Sequence, residues 1–185
     1  MSPLFSPLAT VGNPEVVERR RGRQGEFSRT REHEMITGGC MCRAVGYQTE
    51  AEPIITRLCW CRVCQYVAAG NTAVGVCFPS AGMSIEGETR DFVSIADSGN
   101  KMHRRFCPSC GTHLFSEAES RPHLMFVRAG TLDDTEVARP EATIWTASAP
   151  SWACIDDTRP KFERQAPQPI LSGAQQVPKD RAAEP

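Results

Sequence analysis

The chain has 185 residues and a formal net charge of -1, with 40% hydrophobic and 23% charged residues. This length suits one domain with tails, and the average composition excludes global disorder and a membrane-embedded class of protein. A net charge near zero supplies no long-range field for phosphate backbones, so nucleic acid is not an expected partner. No membrane partner is expected either, because no run reaches the roughly 20 apolar residues of a membrane span.

Residues 1–34 contain many prolines, arginines and glutamates but no sustained apolar period, which predicts a disordered N-terminal extension. The glutamates argue against a mitochondrial presequence, and no basic start followed by an apolar run indicates secretion. We therefore expect a cytoplasmic protein, in which grouped cysteines are metal ligands or reactive thiols before they are disulfides. Patterned sequence begins at Met35, which we expect to be the natural start.

The folded domain is expected to span residues 35–158 and to be mainly β. Short stretches of two-residue apolar periodicity, separated by Gly, Pro, Asn and Asp, are typical of an antiparallel β fold. The strands are expected over residues 72–78, 92–96 and 124–129. Only residues 62–70 predict a helix, of one or two turns, which ends at Gly70. Residues 159–185 are rich in proline and poor in apolar residues, which predicts a disordered C-terminal tail.

Two short cysteine pairs lie far apart in the sequence. Cys40 and Cys42 form a C-x-C pair, and Cys107 and Cys110 form a C-x-x-C turn that contains proline and precedes glycine. Together they supply the four sulfurs of a tetrahedral structural zinc, which would join distant parts of the chain. The alternative is that these residues are ordinary buried thiols.

A third group of cysteines has the pattern C-x-C-x-x-C and lacks an obvious fourth ligand. Its members are Cys59, Cys61 and Cys64. Catalytic zinc sites keep three protein ligands and leave the fourth position to water or substrate, so this group predicts an open, catalytic zinc. Two alternatives stay open: a closed zinc site completed by Cys77 or Cys154, or metal-free redox thiols of lowered pKa near Arg62. Cys77 and Cys154 themselves are expected to be small buried hydrophobic residues.

The motifs GGCMCRAVGY, CWCRVCQ and RRFCPSCGTHLF occur in this order. Through them the chain resembles the glutathione-dependent formaldehyde-activating enzyme family, which includes the centromere protein V type proteins. The resemblance implies an antiparallel β-tent fold with two zinc ions per chain, one structural and one exchangeable. It places the structural zinc on Cys40, Cys42, Cys107 and Cys110, and the exchangeable, catalytic zinc on Cys59, Cys61 and Cys64.

The activity that the resemblance implies is a carbon-sulfur lyase of the S-(hydroxymethyl)glutathione synthase type. Such an enzyme adds glutathione, or a similar thiol, to formaldehyde or a related small aldehyde and serves formaldehyde detoxification. Its partners are then small thiols and aldehydes. A non-catalytic zinc-binding interaction module and a thiol redox enzyme stay as alternatives, because family membership alone does not determine the substrate.

Other residues near the cysteines in sequence are candidates for a role at the site. The arginines that could contact the carboxylates of glutathione are Arg43, Arg62, Arg104 and Arg105. His103 and His113 could relay protons, although we expect strand histidines paired with backbone or water. Trp60 either walls the open zinc position or fills the core.

Overall fold

The computed structural model describes residues 35–166, which form eleven β-strands and one α-helix. The strands are β1 (Ile36–Gly39), β2 (Gly46–Thr49), β3 (Ile55–Cys59), β4 (Ala73–Pro79), β5 (Ser84–Glu86), β6 (Arg90–Ile95), β7 (Lys101–Phe106), β8 (His113–Ala118), β9 (Leu124–Arg128), β10 (Ala142–Ile144) and β11 (Lys161–Phe162). The helix α1 covers Arg62–Val67, and short 3-10 helices cover Ala129–Thr131, Thr135–Ala138 and Thr146–Ser148. The expected N-terminal extension, residues 1–34, lies outside the described residues. Within those residues, no helix combines the length and the apolar character needed to cross a membrane.

The strands form two sheets. A small sheet has the order β1-β2-β5, and a large sheet has the order β11-β10-β3-β4-β9-β8-β7-β6. The neighbours from β3 to β6 in the large sheet are antiparallel, which confirms the expected mainly β fold with one short helix. One strand departs from this pattern, because β10 lies parallel to both β3 and β11. Parallel neighbours need a long connection, and β3 and β10 are indeed separated by most of the domain.

The folded domain extends past the boundary expected at residue 158. The backbone N–H of Thr143 donates to Pro160 O at 2.9 Å, and that of Trp145 donates to Arg164 O at 3.1 Å. Ala166 is buried, with 5% of its surface exposed. Residues 159–166 are therefore part of the fold, because backbone hydrogen bonds to β10 hold a segment that has little apolar content of its own. The rest of the expected C-terminal tail lies outside the described residues.

The main apolar core covers one face of the large sheet. Alternate residues of β4, Val76 and Phe78, point into this core and are fully buried. The small sheet contributes Tyr47, whose ring packs edge-on against that of Phe115 with centroids 5.2 Å apart. The Tyr47 hydroxyl lies 2.9 Å from the Thr131 hydroxyl, so its polar end is also satisfied. Because strand side chains alternate, the other face of the large sheet is free to carry a different set of residues.

Candidate metal centres and the adjoining cleft

Four cysteines from two distant turns meet at one place. Cys40 and Cys42 follow β1, while Cys107 and Cys110 lie between β7 and β8. Their four Sγ atoms lie within 4.8 Å of one another, with 3.5 Å between Cys40 and Cys42 and 3.7 Å between Cys42 and Cys107. Sulfurs that surround a tetrahedral zinc at about 2.3 Å are about 3.8 Å apart. The donor set therefore fits a single tetrahedral metal ion.

Local hydrogen bonds lower the pKa of two cysteines of this cluster, Cys40 and Cys110. The pKa of Cys42 is instead raised to about 12, because a backbone hydrogen bond that lowers it is outweighed by its neighbouring thiols. Burial raises the pKa of Cys40, but the Val45 backbone N–H, which donates to its Sγ at 3.2 Å, and the thiols of Cys42 and Cys107 lower that pKa below its ordinary value. The Thr112 hydroxyl lies 3.1 Å from Cys110 Sγ and lowers the pKa of Cys110 to about 5. The thiolate is the form of cysteine that binds metal. These surroundings are consistent with a metal site.

The turn after Cys107 is shaped by glycine. The Cys107 backbone N–H donates to Thr112 O at 3.0 Å, and the Gly111 N–H donates to Cys107 O at 2.9 Å. Gly111 has a φ of 71°, in the left-handed region that glycine adopts without strain. The tight turn brings Cys107 and Cys110 to the same side, which explains why the C-x-x-C spacing is followed by glycine.

The second cluster lies where β3 passes into α1. Cys59 is the last residue of β3, Cys61 precedes the helix, and Cys64 lies within it. Their three Sγ atoms lie within 4.8 Å of one another, and within residues 35–166 no other cysteine, histidine or carboxylate joins the group. Three donors with one open side match the ligand count of a catalytic zinc site.

The three thiols of the second cluster cannot all be ionised at once unless a cation lies between them. The neighbouring thiols of Cys59 and then Cys64 lower the pKa of Cys61 far below its ordinary value. In return, Cys61 and then Cys64 raise the pKa of Cys59. Without a cation, these sulfurs can carry one negative charge but not three, because like charges at this distance repel. Both clusters can therefore hold a metal ion, and the second becomes fully ionised only when one binds.

The two remaining cysteines join neither cluster. Cys77 is fully buried and packs with Ile55 and Leu124, as expected. Cys154 is exposed, so the expectation that it is buried was wrong. It follows a surface turn in which Trp152 is 68% exposed, and an aromatic neighbour in sequence did not imply a core position. Neither residue completes a closed site with the three-cysteine cluster.

A cleft opens beside the three-cysteine cluster, on the face of the large sheet opposite the main core. Its volume is about 840 Å³, a figure that includes space open to solvent. Residues of β3, β4, β7, β8 and β9 form its floor, together with the three cysteines and Trp145. Trp145 has a φ of 62°, a left-handed conformation that is uncommon for a bulky residue and that occurs most often at functional sites.

The cleft contains more arginines than the sequence motifs suggested. Of the four arginine candidates, Arg104 alone lines the cleft. Arg43 pairs with Asp133, Arg62 with Gln65 and Arg105 with Glu117. The arginines that sequence reasoning missed are Arg57, Arg121 and Arg128. The sequence could have indicated Arg57, because it lies two positions before Cys59 on a strand and therefore on the same face of the sheet as Cys59.

Trp60 and His113 do not line the cleft. Trp60 is 2% exposed and fills the core, where its carbonyl accepts a hydrogen bond from Gln65 Nε2 at 2.7 Å. The His113 ring packs near Phe106, with centroids 5.9 Å apart, and burial lowers the pKa of His113. Its Nδ1 has no hydrogen-bond partner within residues 35–166.

His103 lies on the sheet face away from the cleft and makes ion pairs instead. Its Nδ1 contacts Asp91, and its Nε2 lies 3.1 Å from Glu119 Oε1. Asp91 and then Glu119 raise the pKa of His103 above its ordinary 6.5. The carboxylates that hold it replace the backbone or water partners that we expected.

This pairing predicts that the domain becomes slightly less stable as the pH rises above about 6.5. The folded state holds the His103 proton more tightly than the unfolded state, so the stabilisation is complete below the unfolded pKa and is lost as pH rises through the folded pKa. We expect His103→Gln to remove this part of the pH dependence, as measured by thermal unfolding at about pH 6 and about pH 8. Equal pH dependence in both proteins would show that the ion pairs contribute nothing.

The family model for the glutathione-dependent formaldehyde-activating enzyme matches residues 35–148, which is more than half of the chain and includes all seven clustered cysteines. No curated protein matches the sequence. A solved Rhodobacter sphaeroides protein is 20% identical, with a TM-score of 0.42, over 52% of this chain and 87% of that one. The match of the family model shows that the chain belongs to the glutathione-dependent formaldehyde-activating enzyme family.

Proposed function

We propose that this protein is a zinc-dependent carbon-sulfur lyase that adds a small thiol, glutathione or a similar compound, to formaldehyde or a related small aldehyde. The observation that carries the proposal is the three-cysteine cluster, which has three sulfur donors, lacks a fourth ligand among residues 35–166 and lines a cleft. The family description supplies the reaction type. Cys59, Cys61 and Cys64 would hold the exchangeable zinc, while Cys40, Cys42, Cys107 and Cys110 would hold a structural zinc.

In this reaction the thiol sulfur bonds to the carbonyl carbon, and the carbonyl π electrons move to the oxygen. The thiol gives up one proton to solvent and the new oxygen takes one, so that the product is a hydroxymethyl thioether. A zinc ion at the three cysteines would use its one open position either to stabilise the incoming thiolate or to polarise the aldehyde oxygen. The protein itself positions the two reactants, because the walls of the cleft hold the thiol and the aldehyde close together and limit the access of water.

The arginines of the cleft suit the charge changes of this reaction. Arg104 is 5% exposed and donates to Ser94 Oγ at 2.6 Å, so its guanidinium is held in place. A buried positive charge stabilises a thiolate and the oxyanion that follows it more strongly than the same charge in water. This charge partly compensates for the weak Lewis acidity of a zinc that carries three thiolates.

The first test is the metal content of the purified, unoxidised protein. We expect two zinc atoms per chain by elemental analysis, because both clusters have complete donor sets for their proposed roles. Cys154→Ser is the matched control and should retain both ions, since Cys154 is exposed and lies outside both clusters.

One zinc per chain that does not increase after zinc is added would contradict an exchangeable site at Cys59, Cys61 and Cys64. Reversible disulfide formation among these three residues under mild oxidant would then favour a thiol redox enzyme. Two tightly held ions in a protein that does not react with any thiol would favour an interaction module.

A further inference from the structure

Two arginines of the cleft lie on either side of a glycine. Arg57 on β3 and Arg128 on β9 are both in register with Gly75 on the strand between them. Adjacent strands are about 4.8 Å apart, so the Cα atoms of the two arginines are about 10 Å apart. Residues in register share a face, and all three line the cleft. Gly75 itself puts no side chain between the two arginines, and the ring of Phe126 lies over it, 3.4 Å from the position that a Cβ of Gly75 would take.

Neither of the two guanidinium groups is fully hydrogen-bonded by the residues that the structure describes. Arg57 is only 9% exposed, and its side chain makes no hydrogen bond or ion pair within residues 35–166. Its Nε atom is buried and has no partner, and the same is true of Arg128 Nε. Arg128 donates from Nη2 to Ser116 Oγ at 2.7 Å, which leaves the rest of its guanidinium available. Buried donors are normally paired, so both arginines have capacity for a ligand.

The charges of the residues that line the cleft also favour an anionic ligand. Four arginines line it, and Asp97 is the one carboxylate among its lining residues. The three-cysteine cluster carries a net charge of about -1 when three thiolates hold a divalent ion. Positive charge is therefore in excess, and an anionic ligand would balance it. A guanidinium is a planar fork of donors that matches the two oxygens of a carboxylate.

We propose that Arg57 and Arg128 form a carboxylate-binding site that selects thiol substrates bearing a carboxylate. Arg57 and Cys59 are two residues apart on β3, so their Cα atoms are about 7 Å apart and one short molecule can reach both. The sulfur of the substrate lies at the three-cysteine cluster and its carboxylate lies between the arginines. The choice of thiol rests on the function proposed above, whereas the carboxylate site itself does not.

The test compares two small thiols on the zinc-loaded full-length protein by isothermal titration calorimetry. 3-Mercaptopropionate carries a carboxylate and 2-mercaptoethanol does not. We expect Arg57→Gln and Arg128→Gln each to weaken binding of 3-mercaptopropionate by about 10- to 100-fold, as for the loss of a charge-assisted hydrogen bond. Binding of 2-mercaptoethanol should not change. The matched control is Arg139→Gln, which removes an arginine that is paired with Glu136 on the surface.

A third compound separates this proposal from the proposed function. 3-(Methylthio)propanoate keeps the carboxylate but has no free thiol, so its binding reports the arginines alone. If it binds and both arginine variants weaken its binding, the carboxylate site is supported even where 2-mercaptoethanol does not bind. If both variants bind the two carboxylates as the wild type does, the proposal is overturned, and the arginines only balance the charge of the cysteine cluster.

Stability provides a second readout, which does not depend on any ligand. A buried guanidinium without a partner destabilises the ligand-free protein, so Arg57→Met should raise its thermal midpoint, by about 4 °C. A residue kept for binding often carries such a cost in stability. A lower midpoint would show that Arg57 supports the fold, and would count against the proposal.

Discussion

Replacing Cys107 with serine should unfold the domain or lower its free energy of unfolding by at least about 5 kcal/mol. Cys107 is fully buried, and its sulfur is one of four that can surround a single metal ion. The cluster joins the turn after β1 to the turn between β7 and β8, which belong to different sheets. A serine hydroxyl is a poor substitute for a thiolate ligand, so this cross-link would be lost. Urea denaturation followed by circular dichroism measures the effect.

Cys154→Ser is the matched control for this variant. The same atom is exchanged there at an exposed position outside both clusters, and we expect a change of less than about 0.5 kcal/mol. A Cys107→Ser protein that unfolds at the wild-type urea concentration would show that the four sulfurs do not hold a structural metal. Loss of one zinc per chain together with loss of stability would link the two directly.

In contrast to Cys107→Ser, the variant Cys61→Ser should lose activity but keep the fold. Removing one of three ligands leaves a site that holds its metal poorly, and a metal centre contributes several kcal/mol to the stabilisation of a transition state. We therefore expect kcat/KM for the addition of thiol to formaldehyde to fall by about 1000-fold or more. Cys61 lies between β3 and α1, at the rim of the cleft and outside the main core. Its replacement should change the free energy of unfolding by far less than that of Cys107.

Steady-state rates measured with glutathione and formaldehyde, together with the zinc content, test this second prediction. The wild type should contain two zinc atoms per chain and the variant one, with unchanged circular dichroism. Full activity in a Cys61→Ser protein would contradict catalysis at this cluster, whatever its metal content. A loss of activity accompanied by unfolding would assign the cluster a structural role.

The two predictions distinguish the clusters by what surrounds them. The four-cysteine cluster is closed, because its donors come from two turns and leave no free position for a substrate. The three-cysteine cluster faces a cleft that also contains buried arginines. A closed site contributes to folding, whereas an open site contributes to chemistry. The same residue type therefore has different consequences at positions 107 and 61.

Much of this arrangement was predictable from local patterns. Alternating apolar residues predicted the strands that became β4, β6 and β9, because a strand shows its two faces in a period of two. The expected helix over residues 62–70 is shorter in the structure, because α1 ends at Val67. The left-handed position after its C-cap is taken by Ala69, with a φ of 53°, and Gly70, with a φ of 99°, follows it. The spacing of the cysteines predicted both clusters, because ligands for one ion must come from tight turns or from one short segment. The strands, the helix and the three-cysteine cluster depend on residues that are close in sequence, whereas the four-cysteine cluster joins two distant pairs that were matched by their ligand count.

The tertiary structure decided everything that depends on the register of distant strands. Arg57 and Arg128 share a cleft because both pair with Gly75, and no local pattern connects positions 57 and 128. Residues 159–166 are ordered because β10 offers them backbone hydrogen bonds. His103 lies away from the cleft because strand alternation, combined with the pairing of β6, β7 and β8, places it beside two carboxylates. The sequence by itself determined the two cysteine groups and the class of fold, whereas the charges that face the three-cysteine cluster follow from strand register, which is set by the packing of the whole domain.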